Sequence, residues 1–280
     1  MIAYFNDKFL PKEKISISPD DRGFLFADGV YEVICSYNGK LFKLEEHLNR
    51  LKRSLSELHM AGLPMINLED IAKELIVRNE LSTVHATIYI QITRGAAPRN
   101  HEFPDKDTPL TVYATASPFR PLYEEREKGI KVITLPDIRW RRCDIKSVSL
   151  LPNVLACQQA KEKGATEAVF IRDGVITEGS HTNVCAVFEG RLVTHPADNH
   201  ILGGITRKVM LDLCTALGIP FTESPIFENE LKNADELMVL GTTYEIIPVV
   251  QVNDWKVGDG KPGLVTRTLQ QAYRHAAASK

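Results

Sequence analysis

No two cysteines in this chain stand at C-x-x-C spacing: Cys35, Cys143, Cys157, Cys185 and Cys214 are odd in number and widely scattered. Neither a disulfide framework nor a metal site is expected from that pattern. Long apolar runs are also missing. Ile246-Ile-Pro-Val-Val falls far short of the roughly 18 residues that cross a bilayer, and Met1-Ile-Ala-Tyr-Phe-Asn lacks the charged-then-apolar form of a signal peptide. A cytoplasmic protein without membrane contact is expected. Charge of one sign is absent too, since Lys+Arg 34 against Asp+Glu 36 leaves a formal charge of -2. No basic field therefore argues for nucleic acid, and small molecules are the expected partners. There is no internal repeat and no low-complexity segment.

What is present is an ordinary globular composition, 44% hydrophobic and 25% charged over 280 residues, enough for two medium cores. Tyr31 to Tyr37 reads as a strand turning at Asn38-Gly39 into a second strand at Leu41. Leucines at 44, 48, 51, 55 and 58 recur in steps of four and three, the stripe of an amphipathic helix. A helix over 68–79 is expected with Asn67 as N-cap and Asp70 at N3, and strands over 86–93 and 110–115. The proline-punctuated, charged segment 117–129 is the expected linker, with a boundary near residue 120: a small N-terminal domain over 1–120 and a larger C-terminal domain over 121–280. The second domain should hold strands at 130–135, 167–171, 183–188, 236–240 and 247–252, and helices at 153–163, 205–217 and 265–277. Strands and helices mix without a βαβ rhythm, which predicts an α+β fold.

Five stretches beyond residue 120 bear on chemistry. Lys146 lies between Ile145 and Ser147, ahead of an apolar run; such a lysine is either a wet ammonium on an apolar stem or a desolvated amine able to form a Schiff base. Cys143, three residues earlier, is either a nucleophile or a buried structural thiol. Glu178 interrupts a strand-turn-strand pattern and by itself is a turn carboxylate. Leu202-Gly-Gly-Ile-Thr-Arg opens a helix, which is either a plain loop-to-helix turn or a phosphate cup of free N–H groups. Leu240-Gly-Thr-Thr-Tyr-Glu places two hydroxyls directly after a strand. An amine, a carboxylate, a phosphate cup and paired threonines are the parts that pyridoxal phosphate needs.

Asp21-Arg-Gly-Phe-Leu-Phe-Ala-Asp-Gly-Val-Tyr-Glu-Val, Glu46-His-Leu-Asn-Arg-Leu, Thr93-Arg-Gly, Asp144-Ile-Lys-Ser, Thr177-Glu-Gly-Ser, Gly204-Ile-Thr-Arg and Thr242-Thr together resemble the fold-type IV pyridoxal-phosphate aminotransferases. The resemblance runs from about residue 3 to 272 in the family's order. It implies a two-domain fold with a barrel-like sheet in the larger domain, and pyridoxal 5'-phosphate as cofactor. Lys146 resembles the Schiff-base lysine and Glu178 the partner of the pyridine nitrogen. Arg50, Ile205, Thr206 and Thr242 resemble the phosphate contacts, and Leu202 the residue beneath the cofactor ring. Within the family, Arg94-Gly-Ala-Ala-Pro-Arg-Asn-His is most similar to the D-amino-acid aminotransferase branch. That likeness makes Arg99 and His101 a substrate carboxylate trap with Tyr31, reaching the neighbouring subunit's site in a homodimer, and implies transfer of an amino group from a D-amino acid to a 2-oxo acid. A guanidinium fork suits a planar carboxylate. His181 departs from the family's usual serine and Gly241 from a small hydroxyl residue. A branched-chain L-aminotransferase, an aminodeoxychorismate lyase, an (R)-amine transaminase and a cofactor-binding pseudoenzyme share much of this pattern.

Overall fold

The computed structural model describes residues 1–60 and 67–278, which form two compact units, 1–120 with 145–149, and 121–144 with 150–280. The strip 145–149 thus groups with the first unit, where the sequence boundary had put it in the second. Its Ile145 is buried among the first unit's core side chains, and its backbone bridges to a strand there.

The first unit comprises β1 (Ile2–Phe5), β2 (Lys8–Pro11), α1 (Arg22–Phe26), β3 (Gly29–Tyr37), β4 (Lys40–Leu41), α2 (Leu44–Glu57), α3 (Leu68–Arg78), β5 (Ala86–Thr93) and β6 (Thr111–Pro118). Its sheet runs in the order β2-β1-β6-β5-β3-β4, antiparallel throughout. Burial alternates along β5: Ala86, Ile88, Ile90 and Ile92 are fully buried while Thr87, Tyr89 and Gln91 are half-exposed. That period of two is a sheet with one face in the core. The buried face meets Leu51 and Leu55 of α2 and Leu75 and Ile76 of α3. Tyr89 belongs to the opposite set, with its ring 5.7 Å from Tyr31 and 6.5 Å from Tyr113.

The expected hairpin forms at Asn38 and Gly39, whose φ values of 51° and 82° are those of a type I′ turn. At the start of α3 the Asn67 side chain accepts from the amides of Glu69 and Asp70, as an N-cap should. Its amide donates to Asp70 at 2.6 Å.

The second unit holds α4 (Tyr123–Lys128), β7 (Ile130–Pro136), α5 (Leu151–Glu162), β8 (Glu167–Arg172), β9 (Val175–Gly179), β10 (Asn183–Phe188), β11 (Arg191–Thr194), α6 (Ile205–Leu217), β12 (Phe221–Glu223), β13 (Ile226–Phe227), β14 (Glu236–Gly241), β15 (Glu245–Val252), β16 (Trp255–Lys256) and α7 (Leu264–Ala278). Strands β10, β14, β15, β7, β8 and β9 pair in succession, and β9 pairs back to β10, so the sheet closes on itself as a barrel. The closing bridge joins Glu178 to Asn183. Apolar side chains from all six strands, among them Val132, Val169, Ile176, Val184, Val239 and Ile247, form one core. Ala156 and Ala160 of α5 pack on Ala168 and Phe170. The expected linker is not wholly irregular: its middle is α4, whose Arg126 forms a buried ion pair with Glu245 at 2.8 Å.

Candidate active site

Lys146 is held in the first unit by its backbone. Its carbonyl accepts from the Tyr31 amide at 3.0 Å, the Val148 amide donates to Gly29 at 3.0 Å, and its own amide donates to Ser54 Oγ at 3.2 Å. A short strip is therefore pinned between β3 and α2. The side chain is half-buried, with Nζ 4.3 Å from the Tyr31 ring centroid and no ion pair to a carboxylate among the described residues. A lysine amine without a carboxylate partner is the kind of group that can bond a carbonyl carbon.

Arg50 projects from α2 onto β3. Its Nε and Nη2 donate to the two oxygens of Glu32 at 2.7 and 2.8 Å, a bidentate pair. His47 Nδ1 is 2.8 Å from the same carboxylate. Burial alone would raise the Glu32 pKa, but the Arg50 charge and hydrogen bonds, helped by His47, outweigh it and bring it down to about 2. Desolvation pushes the His47 imidazole below its ordinary value. Burial, with Tyr31 and Tyr113 nearby, lifts the Tyr89 phenol to about 12.

Arg99 and His101 lie on the exposed loop between β5 and β6. The Phe26 ring, at the end of α1, takes the Arg99 guanidinium at 5.2 Å and the His101 ring at 5.6 Å. The carbonyl between them, at Asn100, accepts from Arg22 Nη1 at 2.6 Å. Arg22 and Arg94 in turn share Asp28 Oδ2 at 2.9 and 2.7 Å. Burial raises the Asp28 pKa, yet the hydrogen bonds of Arg94 and then Arg22 outweigh it, so the carboxyl titrates below its ordinary range. Asp21 caps α1 through the Gly23 amide and also accepts from Thr93 and Thr111. The Asp21-Arg-Gly and Thr93-Arg-Gly segments thus act together to fix this loop.

In the second unit, Glu178 lies at the barrel's closing turn. Its Oε2 accepts from the Leu202 amide at 2.9 Å and from Asn183 Nδ2 at 3.1 Å, and its Oε1 pairs with Arg139. Asn183 Nδ2 also donates to the Leu202 carbonyl at 2.9 Å. A Cβ added at Gly204 would come within 1.9 Å of Asn183 Oδ1, so glycine there permits the loop to lie against Asn183. Gly204 is the N-cap of α6 and no side chain caps it. The first-turn amides, at Ile205 and Thr206, point off the helix end and favour an anion. Thr242 begins the β14–β15 turn, and a Cβ at Gly241 would meet His181, Thr182 and Tyr244 only at ordinary contact distances of 3.5, 3.5 and 3.6 Å.

A model of the family described as amino-transferase class IV matches residues 29–252. The chain belongs to the class IV aminotransferases. It is 43% identical over 279 residues to a D-alanine aminotransferase of Staphylococcus haemolyticus, covering 99% of this chain and 98% of that protein. It is 40% identical over 281 residues to one from Bacillus licheniformis, covering 100% and 98%. Among solved structures, a branched-chain amino acid aminotransferase from Escherichia coli superposes with a TM-score of 0.88 at 27% identity, over 98% of this chain and 93% of that one. Another branched-chain amino acid aminotransferase, from T.th. and solved with pyridoxamine 5'-phosphate, gives 0.90 at 25%, over 99% and 94%. The α+β architecture is that of fold-type IV.

Pyridoxal 5'-phosphate is the cofactor of this aminotransferase, and the residues present fit it. Lys146 offers an amine with no counter-ion among the described residues. Glu178 is fixed by Arg139, Asn183 and the Leu202 amide. The uncapped tip of α6 is an anion cradle of backbone donors, and Gly203 and Gly204 add no side chain of their own to it. Of the two readings of Cys143, the structural thiol fits: it is buried, its Sγ donates to the Trp140 carbonyl at 3.2 Å, and desolvation pushes its pKa up to about 11.

Sequence reasoning missed Arg139, Asn183, Glu32 and His47. Arg139 holds Glu178 while also engaging Asp137 at 2.9 Å and lying 4.5 Å over the Phe170 ring. Burial opposes its charge, but the hydrogen bond with Asp137 and the charge of Glu178 raise its pKa above the ordinary arginine value. Glu32 is the acid of Tyr31-Glu-Val, and only its occurrence inside a strand hinted at a buried ion pair.

Proposed function

We propose that this aminotransferase moves the amino group of a D-amino acid, D-alanine above all, to a 2-oxo acid such as 2-oxoglutarate, with Lys146 as the reacting amine. The observation that carries the reading is the Arg99-x-His101 pair, braced by Phe26 and by Arg22 on the intervening carbonyl. Relatives of 40 and 43% identity that are D-alanine aminotransferases support it. Bound pyridoxal 5'-phosphate supplies an aldehyde to accept the amino group and a ring to withdraw electrons from the substrate Cα. Arg50, the amides of Ile205 and Thr206, and Thr242 bind its phosphate. Glu178 would keep a proton on the pyridine nitrogen, and Leu202 would pack against the ring.

Lys146 Nζ would take up the α-proton of the substrate as general base. Arg99, His101 and Tyr31 bind the substrate carboxylate and set which hydrogen on Cα faces that amine. Arg99 and His101 are exposed within one chain, as suits residues that reach a neighbouring subunit; a homodimer in the cytoplasm is part of the proposal. The test supplies holoenzyme with 2-oxoglutarate and either D-alanine or L-leucine. D-alanine should yield pyruvate and glutamate at a rate at least a hundredfold, ~10², above that with L-leucine, a difference of about 3 kcal/mol in transition-state binding. Turnover of L-leucine with none of D-alanine would identify a branched-chain enzyme instead.

A further inference from the structure

Beside the Glu178 turn, the second unit carries a side-chain cluster that transamination does not use: Cys157 on α5, Glu167 at the start of β8, and His181 in the β9–β10 turn. One ligand atom from each lies within 4.8 Å of the others. Cys157 Sγ is 3.7 Å from His181 Nδ1, and that nitrogen is 3.2 Å from Glu167 Oε2. Around a tetrahedral zinc ion with bonds of about 2.3 Å to sulfur and about 2.0–2.1 Å to nitrogen and oxygen, the S···N and N···O edges come to about 3.5 and 3.3 Å. The observed spacings are close to both.

The charges point the same way. Glu167 is fully buried, and among the described residues no lysine or arginine pairs with it; its ionic partner is His181. A buried carboxylate without a fixed cation is costly, and a bound cation removes that cost. Its orientation is already set. Oε1 accepts from the amides of Ala168 and Ser180 at 2.7 and 3.1 Å and from the Ser180 hydroxyl, and Oε2 accepts from Thr182 Oγ1 at 2.9 Å. Such outer partners commonly hold metal ligands in place. Tyr244 packs edge-on against the His181 ring at 4.7 Å. His181 is 41% exposed and Cys157 half-exposed, so the cluster is open to solvent.

We infer that Cys157, Glu167 and His181 form a binding site for a borderline divalent cation, zinc in the first instance, with a solvent water as fourth ligand. Binding releases the Cys157 thiol proton to solvent, and the site takes no part in moving the amino group. The residues are drawn from three separate elements, so no spacing motif announces them.

Holoenzyme dialysed against graded free Zn2+ is analysed for bound metal by mass spectrometry. The expected result is one zinc per chain, held at least tenfold more weakly in Cys157→Ser and in His181→Ser, a loss in line with removing a metal ligand or its support. Zinc should also slow alkylation of Cys157 by iodoacetamide at least tenfold, read on the Cys157 peptide. Both substituted side chains are partly exposed, and matched melting curves check that each variant is folded. No stoichiometric zinc, or binding equally tight in both variants, overturns the inference. Undiminished alkylation of Cys157 in the zinc-loaded protein does so as well.

Discussion

Replacing Arg50 with alanine takes away the cation that keeps Glu32 ionised in the first unit's core. In the native protein the Glu32 carboxyl titrates near about 2 instead of its ordinary 4.5, which at about 1.4 kcal/mol per pH unit corresponds to about 3 kcal/mol of stability. Because the folded value is the lower one, that stability is fully present above pH 4.5 and is lost as the pH falls towards 2. Without Arg50 the strongest remaining influence is burial, which raises the pKa, and the sign reverses: Glu32 is then most destabilising at neutral pH and is relieved by protonation on acidification. His47, 2.8 Å away, gains a proton over the same descent and works in the same direction. The gap in unfolding free energy between native and Arg50→Ala protein should therefore be about 3–5 kcal/mol at pH 7 and shrink steadily towards pH 4.5. Urea titrations followed by far-ultraviolet circular dichroism measure it, with the cofactor removed from both proteins so that phosphate binding does not contribute. A gap under about 1 kcal/mol at pH 7, the size of an exposed pair, or one that stays constant with pH, would refute the reasoning.

Other perturbations have equally definite outcomes. Gly204→Ala drives a Cβ to within 1.9 Å of Asn183 Oδ1, so it should disturb the Asn183–Glu178–Leu202 hydrogen bonds and weaken cofactor retention at least tenfold, measured by equilibrium dialysis. With Arg99 in its proposed role as a donor to the substrate carboxylate, Arg99→Met should raise KM for D-alanine about 10- to 100-fold, matching about 1.5–3 kcal/mol for a charge-assisted hydrogen bond; an unchanged KM would count against the trap. Glu178→Gln keeps the shape but removes the anion, and single-turnover rates with D-alanine should fall at least ~10²-fold, as expected when a key electrostatic contact in the site is lost.

Much of this was readable in the sequence, and the gaps have physical causes. Helix α6 is recovered at both ends because Gly204 opens it and Gly218 closes it in the left-handed conformation, at φ 68°, where glycine is favoured. The Asn38-Gly39 hairpin carries its own signal. The β1–β2 hairpin does not, because Asn6 and Asp7 adopt positive φ of 39° and 67° without a glycine. Helix α4 reads as linker because its residues are charged or polar, while the buried Arg126–Glu245 pair that anchors it is concealed by sequence distance. Barrel closure rests on a single bridge between Glu178 and Asn183, which no local pattern encodes. Lys146, Glu178 and the glycine pair were picked out as candidates by their motifs. Arg139 was not, since its value lies in a partner 39 residues away.

The most direct test of Lys146 as the reacting amine is to reduce the native holoenzyme with borohydride, digest it and locate the cofactor by peptide mass spectrometry. One phosphopyridoxyl group per chain is expected, on Lys146, and none in Lys146→Ala. Attachment at a different lysine, or no covalent attachment, would contradict that role.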